Sequence, residues 1–451
     1  MKAILRFSFL SLGVSLLPQF VFCKSIVETS EQVDSRPNIL IIFTDDQGYA
    51  DLECFGSKTN RTPNMNKLAA EGIMLTEFYA QAYSMPSRSA LLTGRYPFKS
   101  KGIDMPASEV TFAEIARENG YQTVCLGKWD VSNRKPIIDR MPNAQGFDYY
   151  FGTLGANDGG VVKLYENNDY VYTEKDMGNL TGTYTDRAIE FLTTLRDKNK
   201  PFVMYIAHNM MHTVVGASKD FRGKSKGSLY GDAVEEFDFH TGRLIETLDN
   251  LGLRENTLVI YTTDNGPWCQ SKYYSNPRYN RHYPAGTCFW GNPGIFRGGK
   301  GSVYEAGSHV PCIMNWPGKI PQGIKRDGLM ATIDILPTIS SICGFNLPDS
   351  LDLDGVDQSS FIMSSCKPSN RRTFGYIQAR KHDIMAVRDA RWKLILPNRR
   401  IKEASPHLMD FGTNDYELYD LKNDPGEKNN LVDKYPQIVK RLKKEIDKIL
   451  K

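Results

Sequence analysis

Ile39-Leu40-Ile41-Ile42-Phe43 is an unbroken apolar run that stops at Thr44-Asp45-Asp46-Gln47-Gly48. A strand with one wet face alternates apolar and polar residues, so five apolar residues in a row predict a central strand buried on both faces. Further along, residues 64–72 and 85–94 read as short helices, the second starting beside Pro86 and closing on Gly94. The alternation continues with a helix over 112–120, a strand over 123–126, a helix over 184–196 and a strand over 202–207. A long amphipathic helix over 229–251 and a strand over 258–262 complete it. Strands alternating with helices predict an α/β fold, a large mixed and mainly parallel sheet sandwiched by helices. Beyond Phe345 the strands become short and closely spaced (373–378, 384–388, 392–396), which predicts a small antiparallel sheet. Residues 437–450 form a basic amphipathic helix whose lysines and arginines make a solvated face. A large domain is therefore expected over 36–360 and a smaller C-terminal α+β subdomain over 361–451.

The chain has 451 residues, too many for one simple core, with 41% hydrophobic and 24% charged residues typical of a globular protein. Lys and Arg number 56 against 52 Asp and Glu, and a balance of +4 gives no case for a nucleic-acid partner. Lys2 and Arg6 precede an apolar run over 7–22, the pattern of a secretory signal peptide occupying 1–23 and too short for a stable membrane span. Export to a bacterial periplasm or cell surface is expected. Cys23 could take a lipid anchor, with plain cleavage as the other outcome. The other cysteines, Cys54, Cys125, Cys269, Cys288, Cys312, Cys343 and Cys366, include no C-x-x-C pair and read mostly as buried thiols. Cys269 and Cys288 flank a long loop and could pair in an oxidising compartment.

In an open α/β sheet, ligands gather at the carboxyl ends of the strands. That rule collects Asp45 and Asp46, Lys128, His208 and His212, and Asp264 with Asn265. Singly, each has an ordinary explanation, since Asp-Asp and Asp-Asn-Gly are common turns. Together, three carboxylates and an amide on one edge form a hard-oxygen site suited to Ca²⁺ or Mg²⁺. Ser84 adds a hydroxyl at the start of a helix, where the dipole favours negative charge, and Arg88 lies one turn on along the same face.

Ser84-Met85-Pro86-Ser87-Arg88 followed by Leu92-Thr93-Gly94-Arg95-Tyr96-Pro97 resembles the signature of the sulfatase family. Asn38 to Gly48, Leu126-Gly127-Lys128-Trp129, Thr263 to Trp268, Gly299 to Gly307 and Glu417 to Glu427 match in order, so the likeness runs from about Pro37 to about Leu431. It implies an alkaline phosphatase-like fold and a bacterial carbohydrate sulfatase or arylsulfatase. Ser84 would be converted to formylglycine (3-oxoalanine) by a serine-type maturase. Asp45, Asp46, Asp264, Asn265 and the modified Ser84 would hold one Ca²⁺. Arg88 would steady the formylglycine, Lys128 and Lys300 would grip sulfate oxygens, and His212 with Lys300 would serve the leaving oxygen as general acid. One hydroxyl of the aldehyde hydrate would attack sulfur and the second would drive sulfate out, a step that plain serine lacks.

The pattern breaks in three places. Lys128-Trp129-Asp130 replaces the family's Lys-Trp-His, so Asp130, or failing it His208, is expected to take the base's place. Met210-Met211-His212-Thr213-Val214 stands for the usual Pro-His-x-Pro, and His309 stands where arginine is common. The run from Lys272 to Pro293 is rich in Tyr, Arg and His, so Arg281 and His282, with His208, Trp268 and Arg297, are expected to contact a sulfated glycan. Two other functions share these residues: a phosphodiester or phosphonate monoester hydrolase, or a weakly active or non-catalytic glycan binder, made plausible by Asp130.

Overall fold

The computed structural model describes residues 36–101, 104–132, 134–269, 281–283, 286–377, 384–397 and 415–451. The expected leader with Cys23, much of the aromatic loop (270–280 and 284–285) and Gln378 lie outside them. Among the described residues the main sheet has ten strands. Their spatial order is Ile324–Arg326, Ile73–Leu75, Cys312–Asn315, Thr257–Thr263, Asn38–Thr44, Phe202–Ala207, Gln122–Lys128, Tyr149–Thr153, Val162–Glu166 and Asp169–Glu174. The five strands from Thr257 to Tyr149 in that order run parallel. Antiparallel partners close both edges. The mixed, mainly parallel α/β sheet expected from the sequence is what forms.

The Asn38 strand lies between the Thr257 and Phe202 strands, which explains its composition. Ile39, Ile41 and Phe43 enter one hydrophobic layer while Leu40 and Ile42 enter the other, all at most 1% exposed. Burying each such side chain stabilises the fold by about 1.5–3 kcal/mol, an upper estimate because the unfolded chain is partly compact. Register then does the positioning. Thr44 pairs with Thr263, Phe43 with Ala207, and Gly127 with Ala207, so the segments after these strands emerge side by side at one edge.

The helices largely follow the sequence reading: Pro63–Ala70, Ser84–Thr93, Phe112–Glu118, and Ser228–Asn250. Thr111 and Glu114 close the third with a reciprocal capping box. The helix expected over 184–196 instead spans Asn179–Glu190, because Leu180 shares the buried face of Tyr184 and Ala188, and it ends in a π-helical turn, Phe191–Leu195. The three strands between Tyr149 and Glu174 were not expected. The outermost, Asp169–Glu174, buries little, so it lacks the apolar alternation by which strands are read.

Phe374–Ile377, Ile384–Arg388, Trp392–Ile395 and Glu417–Asp420 form the small antiparallel sheet. The Pro436–Ile449 helix packs Leu442 and Ile446 into its core and leaves its basic residues outside. The seven cysteines beyond Cys23 are free thiols, four of them buried. No helix of the described residues is long and apolar enough to cross a membrane.

Candidate active site

Ser84 is the first residue of its helix, entered from an extended Tyr83, so its Oγ stands at the positive end of the helix dipole. The next turn supplies Arg88 by i,i+4 spacing, and its Nε donates to Ser84 Oγ at 3.0 Å. Gly94 ends the helix in the left-handed region at φ 65°, where a side chain would be strained. Lys128, the last residue of its strand, donates from Nζ to the same Oγ at 2.9 Å and to Asp45 Oδ2 at 2.5 Å. Gly127 makes that approach available: a Cβ there would lie 2.0 Å from Ala207 O.

Behind the hydroxyl, Arg88 Nη2 bridges Asp45 Oδ2 at 3.0 Å and Asp264 Oδ2 at 2.9 Å, with all three side chains fully buried. Burial disfavours the charged form of Arg88, but Asp264, Tyr205 and Asp45 outweigh it and hold the guanidinium above its usual range. Burial pushes Asp45 up, yet Lys128, with Arg88 and Lys300, outweighs it and keeps the carboxylate ionised. Lys300 Nζ meets Asp46 Oδ1 at 2.6 Å and lies 5.4 Å from the Trp268 ring centre. Its burial is overcome by Asp46, Asp45 and Asp264, which raise it above the usual lysine range. Burial raises Asp46 to about 7 against the pull of Lys300, helped by repulsion from Asp45 and Asp264. Burial and then Asp45 also raise Asp264.

Three oxygens in this cluster are buried without a hydrogen-bond partner: Asp45 Oδ1, Asp46 Oδ2 and Asn265 Oδ1. Asn265 spends its amide hydrogens on Asp46 Oδ1 at 2.7 Å and on its own neighbour's carbonyl, Gly266 O, at 2.8 Å. Orphaned buried oxygens are costly. A carboxylate pair and an amide oxygen are the donor set of a hard divalent cation, so these residues fit one. Asp45, Asp46 and His212 also bring ligand atoms within 4.8 Å of one another. His212 Nε2 lies 3.8 Å from Asp46 Oδ2 and 3.8 Å from Asp158 Oδ1, and burial and then Lys300 depress the ring to about 3, so it is neutral at neutral pH.

The chain matches the sulfatase family model over residues 37–345 and a second model, the C-terminal region of N-sulphoglucosamine sulphohydrolase, over 291–451. The chain belongs to the sulfatase family. It is a sulfuric ester hydrolase by that membership. It is 30% identical to an N-acetylgalactosamine-6-O-sulfatase of Bacteroides thetaiotaomicron over the whole of this chain and 99% of that protein. Human arylsulfatase A is 31% identical over 88% of this chain and 83% of its own length. Among solved structures, a sulfatase from a Bacteroides thetaiotaomicron glycosaminoglycan-metabolism locus superposes with a TM-score of 0.81 at 26% identity, covering 92% of this chain and 99% of that one.

The residues expected from the family motifs therefore converge: Ser84, Arg88, Lys128, Lys300, Asp45, Asp46, Asp264 and Asn265 form one contact network, with His212 beside it. Other expected residues sit elsewhere. His208 is buried with its ring edge-on to Phe237 at 5.3 Å, and burial and then His240 depress it to about 3. Arg297 is committed to the packing of the small sheet: it lies 3.7 Å over the Tyr304 ring and donates to Tyr419 Oη and Glu427 O. Arg281 donates from Nε to His282 Nε2 at 3.2 Å, and the His282 ring lies against Gly160, where a Cβ would be 3.5 Å from Nδ1.

Three residues of the site escaped the sequence reading. Asn157 Nδ2 donates to the carbonyls of His212 and Val214 and so shapes the loop that lost its prolines. Asp158 meets His212 and Arg134. Arg134 binds Asp130. Asn157-Asp158-Gly159-Gly160 follows the Tyr149–Thr153 strand, so the carboxyl-end rule would have selected it had that strand been read. Asp130 itself is fully buried, with Oδ1 taken by Arg134 and Oδ2 shared by Arg134 and Lys128.

Proposed function

We propose that this sulfatase removes sulfate from a sulfated carbohydrate, using a formylglycine made from Ser84 by a maturase and one Ca²⁺ held by Asp45, Asp46, Asp264 and Asn265. The observation that carries this reading is Ser84 Oγ gripped by both Arg88 and Lys128 beside three orphaned oxygens. The names of the relatives, an N-acetylgalactosamine-6-O-sulfatase and a sulfatase from a glycosaminoglycan locus, support a carbohydrate substrate.

Formylglycine, as its hydrate, supplies a nucleophilic hydroxyl and a second one for sulfate release, and the cation supplies positive charge at the sulfate oxygens. The chain's residues do the rest. Arg88 orients position 84 and neutralises Asp45 and Asp264. Lys128 and Lys300 present ammonium groups toward developing negative charge in a water-poor site, where such charges act strongly. Lys300, held protonated by three carboxylates, is the proton donor to the leaving oxygen. His212 has Nε2 3.8 Å from both Asp46 Oδ2 and Asp158 Oδ1 and is neutral near pH 7, so the proton donor is Lys300 rather than the histidine that the family motif implies. Asp130 has both oxygens occupied, so we assign it to fixing Lys128 rather than to carrying a proton.

The test joins two measurements on protein from its native host. Formylglycine at position 84 leaves that peptide two hydrogens lighter than serine does, and sulfate release is followed on a panel of regiochemically defined sulfated sugars beside an aryl phosphodiester. Serine unchanged at 84 together with no sulfate release would overturn the reading.

A further inference from the structure

Asp130, Arg134 and Asp158 make a bridge beside the Ser84 cluster that the family motifs do not describe. Asp130 and Arg134 both have left-handed backbones, φ 44° and 57°, within one turn of chain. Non-glycine residues hold such angles only when surrounding contacts fix them. The contact here is a side-on fork: Arg134 Nε and Nη2 donate to the two oxygens of Asp130 at 2.7 and 3.2 Å. The remaining arm, Nη1, donates to Asp158 Oδ2 at 3.2 Å. A planar guanidinium can hold two carboxylates at fixed angles, which a point-charge ammonium cannot.

Each end of the bridge meets a residue of the sulfate site. Asp130 Oδ2 is 3.2 Å from Lys128 Nζ, which holds Ser84 Oγ. Asp158 Oδ1 is 3.8 Å from His212 Nε2. The contacts thus run Ser84, Lys128, Asp130, Arg134, Asp158, His212 and frame the site from nucleophile to leaving-group side. Arg134 is 43% exposed and Asp158 24% exposed, while Asp130 is sealed, so the bridge runs from the buried groups out to solvent.

We propose that Arg134 is a positioning residue for sulfate-ester hydrolysis, tying Asp130 to Asp158 and so setting Lys128 and the His212 ring relative to one another. Asp130 in place of the family histidine is then the anchor for this arginine. The proposal rests on the sulfatase reading for its activity arm only.

Arg134→Met and Asp158→Asn should each lower kcat about tenfold or more while KM changes little, the size usual for residues that orient a site's ligands. The double variant should be no slower than the slower single one, because both cut the same link. Arg134→Lys should behave like Arg134→Met, and guanidinium ion added to Arg134→Ala should restore part of the rate. A second readout does not need activity: the His212 ring resonances, assigned by their loss in His212→Gln, should shift in Arg134→Met while the unfolding temperature stays within a few degrees. Unshifted His212 resonances in both single variants would overturn the bridge whatever the protein hydrolyses, as would multiplicative rate losses in the double variant. Shifted resonances in a protein that releases sulfate from no ester would uphold the bridge and overturn the functional reading instead.

Discussion

Asp46 is pulled two ways, and the balance sets how the site responds to pH. Burial, Asp45 and Asp264 raise it to about 7 although Lys300 opposes them, whereas in an unfolded chain it would titrate near 3.8. A folded-state value above the unfolded one means that its contribution to stability is full below the unfolded value and is lost as pH rises through the folded one. His212, depressed to about 3, has the opposite sign: its contribution is present above about 6.5 and is lost as pH falls toward 3. A divalent cation competes with the proton on Asp46, so its binding should tighten as pH rises between about 4 and 7. The rise in unfolding temperature given by calcium should therefore be much larger at about pH 7.5 than at about pH 4.5, and Asp46→Asn should make it small at both. Equal calcium shifts at the two pH values in the unaltered protein would count against Asp46 as a ligand. Lys128 carries a sharper kinetic expectation. Lys128→Met keeps the buried stem but removes the charge that faces Ser84, so kcat for sulfate release should fall on the order of 10²–10³-fold, as when one preorganised donor to developing charge is lost.

At the level of elements, two glycines of the site separate stability from activity. Gly94 ends the Ser84 helix at φ 65°, and a Cβ there would lie 3.0 Å from the Leu353 side chain, which can shift. Gly94→Ala should cost about 1–2 kcal/mol in urea unfolding and leave kcat near normal, because strain at a helix end can be absorbed there. Gly127 is held at φ 98°, and a Cβ there would strike backbone, 2.0 Å from Ala207 O. Gly127→Ala must push the Gln122 and Phe202 strands apart beside Lys128, so kcat should fall about 10²-fold even in molecules that fold; sulfate release by the purified folded fraction decides. These elements also show what was legible beforehand. The Asn38, Phe202, Thr257 and Gln122 strands were readable because burial on both faces leaves continuous apolar runs, and the carboxyl-end rule then collected Asp45, Asp46, Asp264, Asn265 and Lys128. The Tyr149–Thr153 strand is buried too, but its Tyr-Tyr-Phe run is cut off at once by Gly152 and Thr153 and is too short to read as a strand. Missing the Tyr149 strand meant missing Asp158, and Arg134 had no motif, since its role depends on a turn that brings i and i+4 together outside any helix. His208 and Arg297 show a different ambiguity: a polar residue after a strand, or near a motif, reads the same in sequence whether it faces the site or packs against Phe237 or Tyr304.

Across the whole molecule, the small sheet is joined to the catalytic body by a buried charge cluster. Glu305, five residues after Lys300, accepts from Tyr376 Oη at 2.6 Å, Lys393 Nζ at 2.9 Å and Tyr79 Oη at 2.6 Å. Lys393 Nζ also meets Glu427 Oε1 at 2.9 Å, and Glu427 Oε2 accepts the Glu305 backbone N–H at 2.7 Å. Burial pushes Glu305 up, but Lys393, His309 and Arg388 hold it well below the usual range. Glu427 is raised by burial to about 7 despite Lys393, with Glu305 adding repulsion. Nothing in local sequence pattern announces this, because its members come from residue 79 to residue 427 and meet only once both sheets exist. One consequence is that the expected subdomain over 361–451 should not fold away from the rest, since Lys393 and Glu427 would both leave Glu305 behind. Another concerns Lys393 alone. Lys393→Met removes the ammonium shared by the two carboxylates; Glu305 keeps Arg388 and His309, but Glu427 is left beside it, and uncompensated buried charge typically costs about 3–5 kcal/mol. Glu427 is the cheaper of the two to neutralise, so adding Glu427→Gln to Lys393→Met should recover part of that loss, whereas adding Glu427→Asp should not. Urea unfolding at about pH 8, where Glu427 is ionised, checks it, and the deficit of the single variant should shrink toward about pH 5 as the carboxyl takes up a proton. A deficit that stays the same across that range, or a double variant no more stable than the single, would show that the cluster is held by packing and not by charge.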